Sequence, residues 1–171
     1  MPANLILKRG TGTNGRVPND ALQGSPSFVY FSTIDDATLS PGSAPIGRPA
    51  TATAYSAEVH LYLTISNAPD NQVDNIRFWR GLSHPATGIH LFVGTSVASA
   101  TPVTNTLSAY ATEPSVAYYD SDNSLLWSDK PMQNIGDTSH LLIQQLQVLS
   151  SASIGDESGE DGVCHYSYDE S

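Results

Sequence analysis

AEVHLYLTISNAPDNQVDNIRFWRGLSHPATGIHLFVGT, residues 57–95, is the stretch that decides the fold. Within it Val59, Leu61, Leu63 and Ile65 alternate with Glu58, His60, Tyr62, Thr64 and Ser66. A period of two is what a β-strand shows when one face meets a core and the other meets water or a partner. Asn75 to Arg80 and Gly88 to Thr95 read as two further strands, set apart by NAPDN (67–71) and SHPATG (83–88), both rich in turn residues. The stretch predicts three consecutive strands of one antiparallel layer.

Outward from it, the chain keeps the same character. Phe28 to Ile34 is β-branched and aromatic, with Asp35 and Asp36 marking its exit. TLSPGSAPIGRP (38–49) is a proline-rich loop of the kind that is functional or packs on another chain. SVAYY (115–119) reads as a strand, and DSDNSLLWSDKP (120–131) as a turn followed by a short apolar piece. Ser139 to Ser151 admits a helix capped by Ser139, with Leu142, Leu146 and Leu149 on one face. It also admits a strand bulged at Gln144 and Gln145 that keeps Leu141, Ile143, Leu146 and Val148 inward, and the strands on either side favour this second reading. Val163 to Tyr168 reads as the last strand. The sum is all-β: an antiparallel β-sandwich or jelly roll of about eight strands, with no fixed repeat.

Residues 1–25 are different. After the apolar run Leu5 to Leu7 they hold four glycines, one proline and few large apolar side chains, too little to pin the segment to a core. They predict an extended arm in front of a single domain at 26–171. It is either a disordered tail or an arm that orders against a neighbouring subunit as an added strand.

The 171 residues are enough for one well-filled core. A net charge of −10 argues against nucleic acid, whose phosphates call for a basic face. Lys8, Arg9 and Arg16 open the chain, and Asp156, Glu157, Glu160, Asp161, Asp169 and Glu170 close it, a polarity suited to ordinary solvated ends or to head-to-tail contacts. Cys164 is alone, which rules out an intrachain disulfide and a thiolate zinc site. The sequence shows no secretory h-region and no apolar run near the ~20 residues of a membrane span.

Candidate chemistry is sparse. GTSVASATP (94–102) looks like the segment around a subtilase nucleophile, but His60 and His84 lack the context of the partner base, and the α/β scaffold is missing. Asp120, Asp122, Asn123 and Asp129 offer the oxygen ligands calcium takes, without the EF-hand glycine or closing glutamate. His60, His84, His90, His140 and His165 fall one to an element, and only a cross-strand meeting of His60 with His90 would pair any of them. No catalytic residue, metal or cofactor is expected. Trp79, among polar neighbours, reads as a packing cap over a sheet edge, or as a contact or sugar-stacking residue.

LLIQQLQVLSSASIGD (141–156), the acidic turn after it and CHYSYDES (164–171) resemble the ending of small β-sandwich structural proteins of tailed bacteriophages. NIRFW (75–79) and GIHLFVGT (88–95) are similar to their middle strands, and KRGTG (8–12) to their N-terminal arms. The resemblance implies a capsid decoration or cement protein of the virion surface, made in the host cytoplasm, often a trimer, that clamps neighbouring major capsid subunits. It has no catalytic residues to carry over. On this reading Leu5, Leu7, Lys8, Arg9 and Arg16 of the arm, Pro41, Pro45 and Arg48 of the proline-rich loop, and Arg77 with Trp79 are the expected contacts. A glycan-binding module using Trp79, Trp127 or tyrosines, and a head-fibre or tail component, are the alternatives.

Overall fold

A computed structural model of the protein describes residues 2–11, 17–19, 31–36, 43–80, 87–98, 101–152 and 165–171. Ten strands form among them: β1 (Asn4–Thr11), β2 (Val17–Asn19), β3 (Thr53–Tyr55), β4 (Val59–Asn67), β5 (Val73–Trp79), β6 (Ile89–Ser96), β7 (Glu113–Pro114), β8 (Leu125–Ser128), β9 (Leu141–Leu149) and β10 (His165–Glu170). They make two antiparallel sheets, one in the order β2-β1-β4-β9-β6-β7 with β3 also on β9, the other β10-β5-β8. The architecture is the expected all-β, antiparallel sandwich.

The expected single layer across residues 57–95 is corrected in one respect. β4 and β6 belong to the large sheet with β9 between them, while β5 lies in the small sheet. The turn-rich linkers let the chain cross between layers at each step, so alternation within each strand was legible while the partner of each strand was not.

Between the sheets lies the main core. Val59, Leu61, Leu63 and Ile65 of β4, Val93 of β6 and Leu142 of β9 meet Val73, Ile76 and Phe78 of β5, Trp127 of β8 and Met132. Nearly all are fully buried, and each large side chain contributes about 1.5–3 kcal/mol by leaving water. Trp127 also donates its indole N–H to the His140 carbonyl at 2.9 Å, which makes it a core residue.

Residues 4–11, expected in an extended arm, are instead β1 of the chain's own sheet, paired with β4 from Leu5↔Ile65 to Gly10↔His60. Leu5 and Leu7 pack on the core, an outcome the alternation Leu5, Leu7, Arg9 against Ile6, Lys8, Gly10 allows once β4 is beside it. The ends of the described chain also meet: the Ala3 N–H donates to Glu170 at 2.7 Å, and Gln72 and Ser171 exchange backbone bonds of 3.1 and 3.0 Å. Acidic Glu170 is thus held against the start of β1 within one chain.

Other elements differ locally. Phe31 to Ile34, expected as the end of a strand, is irregular: Thr33 donates its N–H to the Ala44 carbonyl at 3.0 Å and Phe31 packs on the core. Residues 28–30 lie outside the described residues. Ser115–Ala117 is a 3-10 turn rather than a strand. β9 runs without a bulge, since its register with β6 is unbroken from Ile89↔Val148 to Ser96↔Leu141. Gln144 therefore faces the inner side with Val59 and Val93, and Gln145 the outer side with Phe92. Both amides are buried, and Leu141 and Ile143, expected inward, lie on the outer side of the sheet while Leu142 faces the inter-sheet core.

Candidate functional site

The outer face of the large sheet is buried as well. Tyr62, Leu141 and Ile143 form a second apolar cluster with Ala111, and Phe92 packs against it. Ala111 belongs to residues 101–112, an irregular strap laid over the outer face. Polar contacts hold the strap. Gln145 accepts from the Ser108 N–H at 2.8 Å and donates to the Ser56 and Thr106 carbonyls at 3.0 and 2.7 Å. The Ser108 hydroxyl in turn accepts from the Tyr110 and Ala111 N–H groups at 3.0 and 2.8 Å. Gly94 lets the strap come close: a Cβ there would lie 2.0 Å from the Tyr110 carbonyl oxygen.

Beneath the strap sits the most chemically provocative group in the molecule. Glu58 and His60, the polar partners in the opening alternation, are 1% and 0% exposed, and the His60 Nε2–H donates to Glu58 Oε2 at 2.9 Å. That places the proton by the bond it makes. Glu58 Oε2 also accepts from the Val103 N–H at 3.1 Å, while the Glu58 N–H donates to the Val103 carbonyl at 2.9 Å. Burial pushes the Glu58 carboxyl up, but hydrogen bonds from His60, the Ser108 hydroxyl and the Val103 N–H, with the charge of His60, outweigh it and hold the carboxyl below its ordinary value. Glu58 Oε1 and His60 Nδ1 face no hydrogen-bond partner among the described residues.

Glutamate, histidine and serine in contact suggest a nucleophilic triad, and the geometry is wrong for one. The serine hydroxyl bonds the carboxylate rather than the imidazole, and all three residues are sealed from solvent, so no substrate reaches the hydroxyl. What the arrangement does is pin a loop to a sheet. Sequence reasoning missed it because the strap residue that completes it, Ser108, is an ordinary serine in a run of small residues.

The expected sites resolve as follows. Ser96 sits at the end of β6 with its hydroxyl donating to the Ala98 carbonyl at 2.9 Å, a local strand-end contact. His60 and His90 do not converge: β9 lies between their strands, and His90 is exposed beside Phe92 at a ring distance of 6.5 Å. The Asp120 carboxylate accepts from the Asn123 backbone and side chain at 2.8 and 2.9 Å, which lowers its pKa and describes a turn. Among the described residues no three metal-ligating side chains come together, and no helix is long and apolar enough to cross a membrane.

The expected contact residues separate into three groups. Leu5 and Leu7 are half-buried and pack on the core, and Lys8 and Arg9 are buried at 9% and 4% exposure. Burial pushes the Arg9 guanidinium below its ordinary value, opposed by the charges of Asp35 and Asp36, which therefore serve this cation. Arg16 and Pro41 lie outside the described residues, as do Cys164, His84 and the acidic turn. Pro45 and Arg48 are exposed, with Arg48 donating to the Ala152 carbonyl at 3.1 Å, and Arg77 and Trp79 are half-buried on the outer face of the small sheet.

Large apolar side chains also reach solvent: the strap carries Val103 (36% exposed), Leu107 (59%) and Tyr110 (43%), and Val97 (74%) stands just after β6. An all-β, two-sheet sandwich with a pinned, apolar-tipped strap is the class these features define. No family model, no curated protein and no solved structure matches the chain.

Proposed function

We propose that this chain is a virion structural protein, a capsid decoration or cement protein that works as a homo-oligomer, a trimer, on the outer capsid surface and stabilises contacts between major capsid subunits. The observation that carries the reading is a division of labour. Glu58, His60 and Ser108, three groups able to do acid-base or nucleophilic chemistry, are spent on fixing a loop, while that loop presents Val103, Leu107 and Tyr110 to solvent, with Val97 exposed before it. Rigid backbone with apolar tips is the equipment of a contact surface. The bacteriophage resemblance of the strands at 75–79, 88–95 and 141–149 supports the same role.

Capsids of the encoding virus assembled without this chain provide the test. Mixed with the purified protein, they are expected to bind it stoichiometrically, to unfold at a higher temperature, and to lose it with the double variant Val97→Asp, Leu107→Asp while that variant keeps its fold. Capsids that neither bind the wild-type chain nor gain stability from it would refute the reading.

A further inference from the structure

We propose that the outer face of the small sheet is a binding site for a short neutral oligosaccharide, with the Trp79 indole as its stacking platform. This face plays no part in the strap contacts, so the inference stands or falls apart from the capsid reading.

Register sets out the face in rungs. Trp79 pairs with His165, Arg77 with Ser167 on one side and Leu126 on the other, and Asp169 pairs with Asp74 at the far end. On this face β10 offers His165, Ser167 and Asp169, all exposed, and β5 offers Trp79, Arg77 and Asn75, all half-buried. From Trp79 to Asn75 the strand covers about 13 Å at roughly 3.3 Å per residue, a length suited to several sugar rings rather than one.

The chemistry along that line changes in the order a sugar chain requires. At one end the Trp79 and His165 rings lie parallel, 5.6 Å apart with planes 9° from each other, so the imidazole stacks on the indole and restrains it. A half-buried indole offers a flat apolar surface to the C–H face of a pyranose. In the middle, Arg77 makes a long 3.4 Å contact to Ser124, its guanidinium carries more N–H donors than that one contact uses, and Ser167 adds a hydroxyl of its own. At the far end the Asn75 amide donates to Asp169 Oδ2 at 2.7 Å, an amide and carboxylate pair that both donates to and accepts from hydroxyl groups.

A second observation marks the same place. Asn75 takes a left-handed φ of 47°, and the ladder shifts register beside it, between Ile76 and Arg77 against β8 and between Ser167 and Asp169 against β10. Asparagine tolerates this left-handed backbone, and a bulge re-aims the side chain it carries. Here it aims Asn75 at Asp169. Among the described residues this face carries one guanidinium, too few for a nucleic acid, and Leu126 with the indole as its apolar area, too little for a peptide or lipid.

The test is titration of the full-length chain with cellotriose, maltotriose and tri-N-acetylchitotriose, followed by amide-resolved NMR. At least one probe is expected to shift the Trp79 indole N–H and the Arg77 and Ser167 amides at millimolar concentration, leaving the buried Trp127 indole unmoved. Trp79→Ala should weaken that binding about tenfold or more, and Arg77→Ala about fivefold, the latter keeping the test decisive if the tryptophan variant fails to fold. No shift on this face with any of the three probes up to about 20 mM, or shifts that survive both substitutions, would overturn the proposal.

Discussion

The two faces of the large sheet are both buried, and by opposite means. Against the small sheet, β4 presents Val59, Leu61, Leu63 and Ile65 to a dry apolar core. On its other side the same strand presents His60 and Tyr62, with Glu58 just before it, to a strap held by Gln145, Ser108 and Glu58. One face depends on filled volume, which is indifferent to pH and forgiving of direction. The other depends on donors and acceptors that must each be met, so it is sensitive to single polar changes and to protonation.

Substitutions on the two faces should therefore fail differently. The largest effect is expected from Phe78→Ala in the inter-sheet core, a loss of about 3–5 kcal/mol with global unfolding at lower denaturant. Gly94→Ala comes next: its Cβ would meet the Tyr110 carbonyl carbon at 2.8 Å and its oxygen closer still, so strap or strand must shift. We expect a cost of about 3 kcal/mol, with spectral changes concentrated in residues 101–112. Gln145→Leu fills the same space but strands the Ser108 N–H and two carbonyls, for about 2–3 kcal/mol, and a loss as large in β5 as in the strap would break the comparison.

Acid sharpens it further. Because the folded Glu58 carboxyl is held below its ordinary value, its contribution is present above the unfolded value and lost as pH falls through the lower, folded one. Thermal melts of wild type and Glu58→Gln across that acidic range should converge, and a gap that persists at low pH would contradict the role given to this carboxylate. The smallest effect is expected from Trp79→Ala, within about 1 kcal/mol, since this half-buried side chain stands outside both interfaces.

The alternation in residues 59–65 was enough to find β4 and its inward face, and the same period revealed β5 and β6. Sheet membership was not legible, because a strand carries its own period but not the identity of its neighbour. The arm was misjudged for a related reason: Leu5 and Leu7 look too few to anchor a segment until the long, apolar β4 is placed beside them. Glu58 and His60 were visible as the polar half of a pattern that ordinarily faces water. Their burial depends on Ser108, Val103 and Gln145, which lie about 40 to 90 residues away and carry no motif. Trp79 and Arg77 were legible as a face, whereas the stacking of Trp79 on His165 needed the register of β10.

Amide hydrogen exchange on wild type and Gln145→Leu tests most directly the claim that polar contacts, more than the packing of Ala111, hold the strap. The expected result is that amides within 101–112 lose about tenfold or more of their protection while those of β4 and β9 keep theirs, the strap opening as its own unit. Equal loss of protection in the strap and in both strands would contradict the account, because it would make the strap part of the one apolar core.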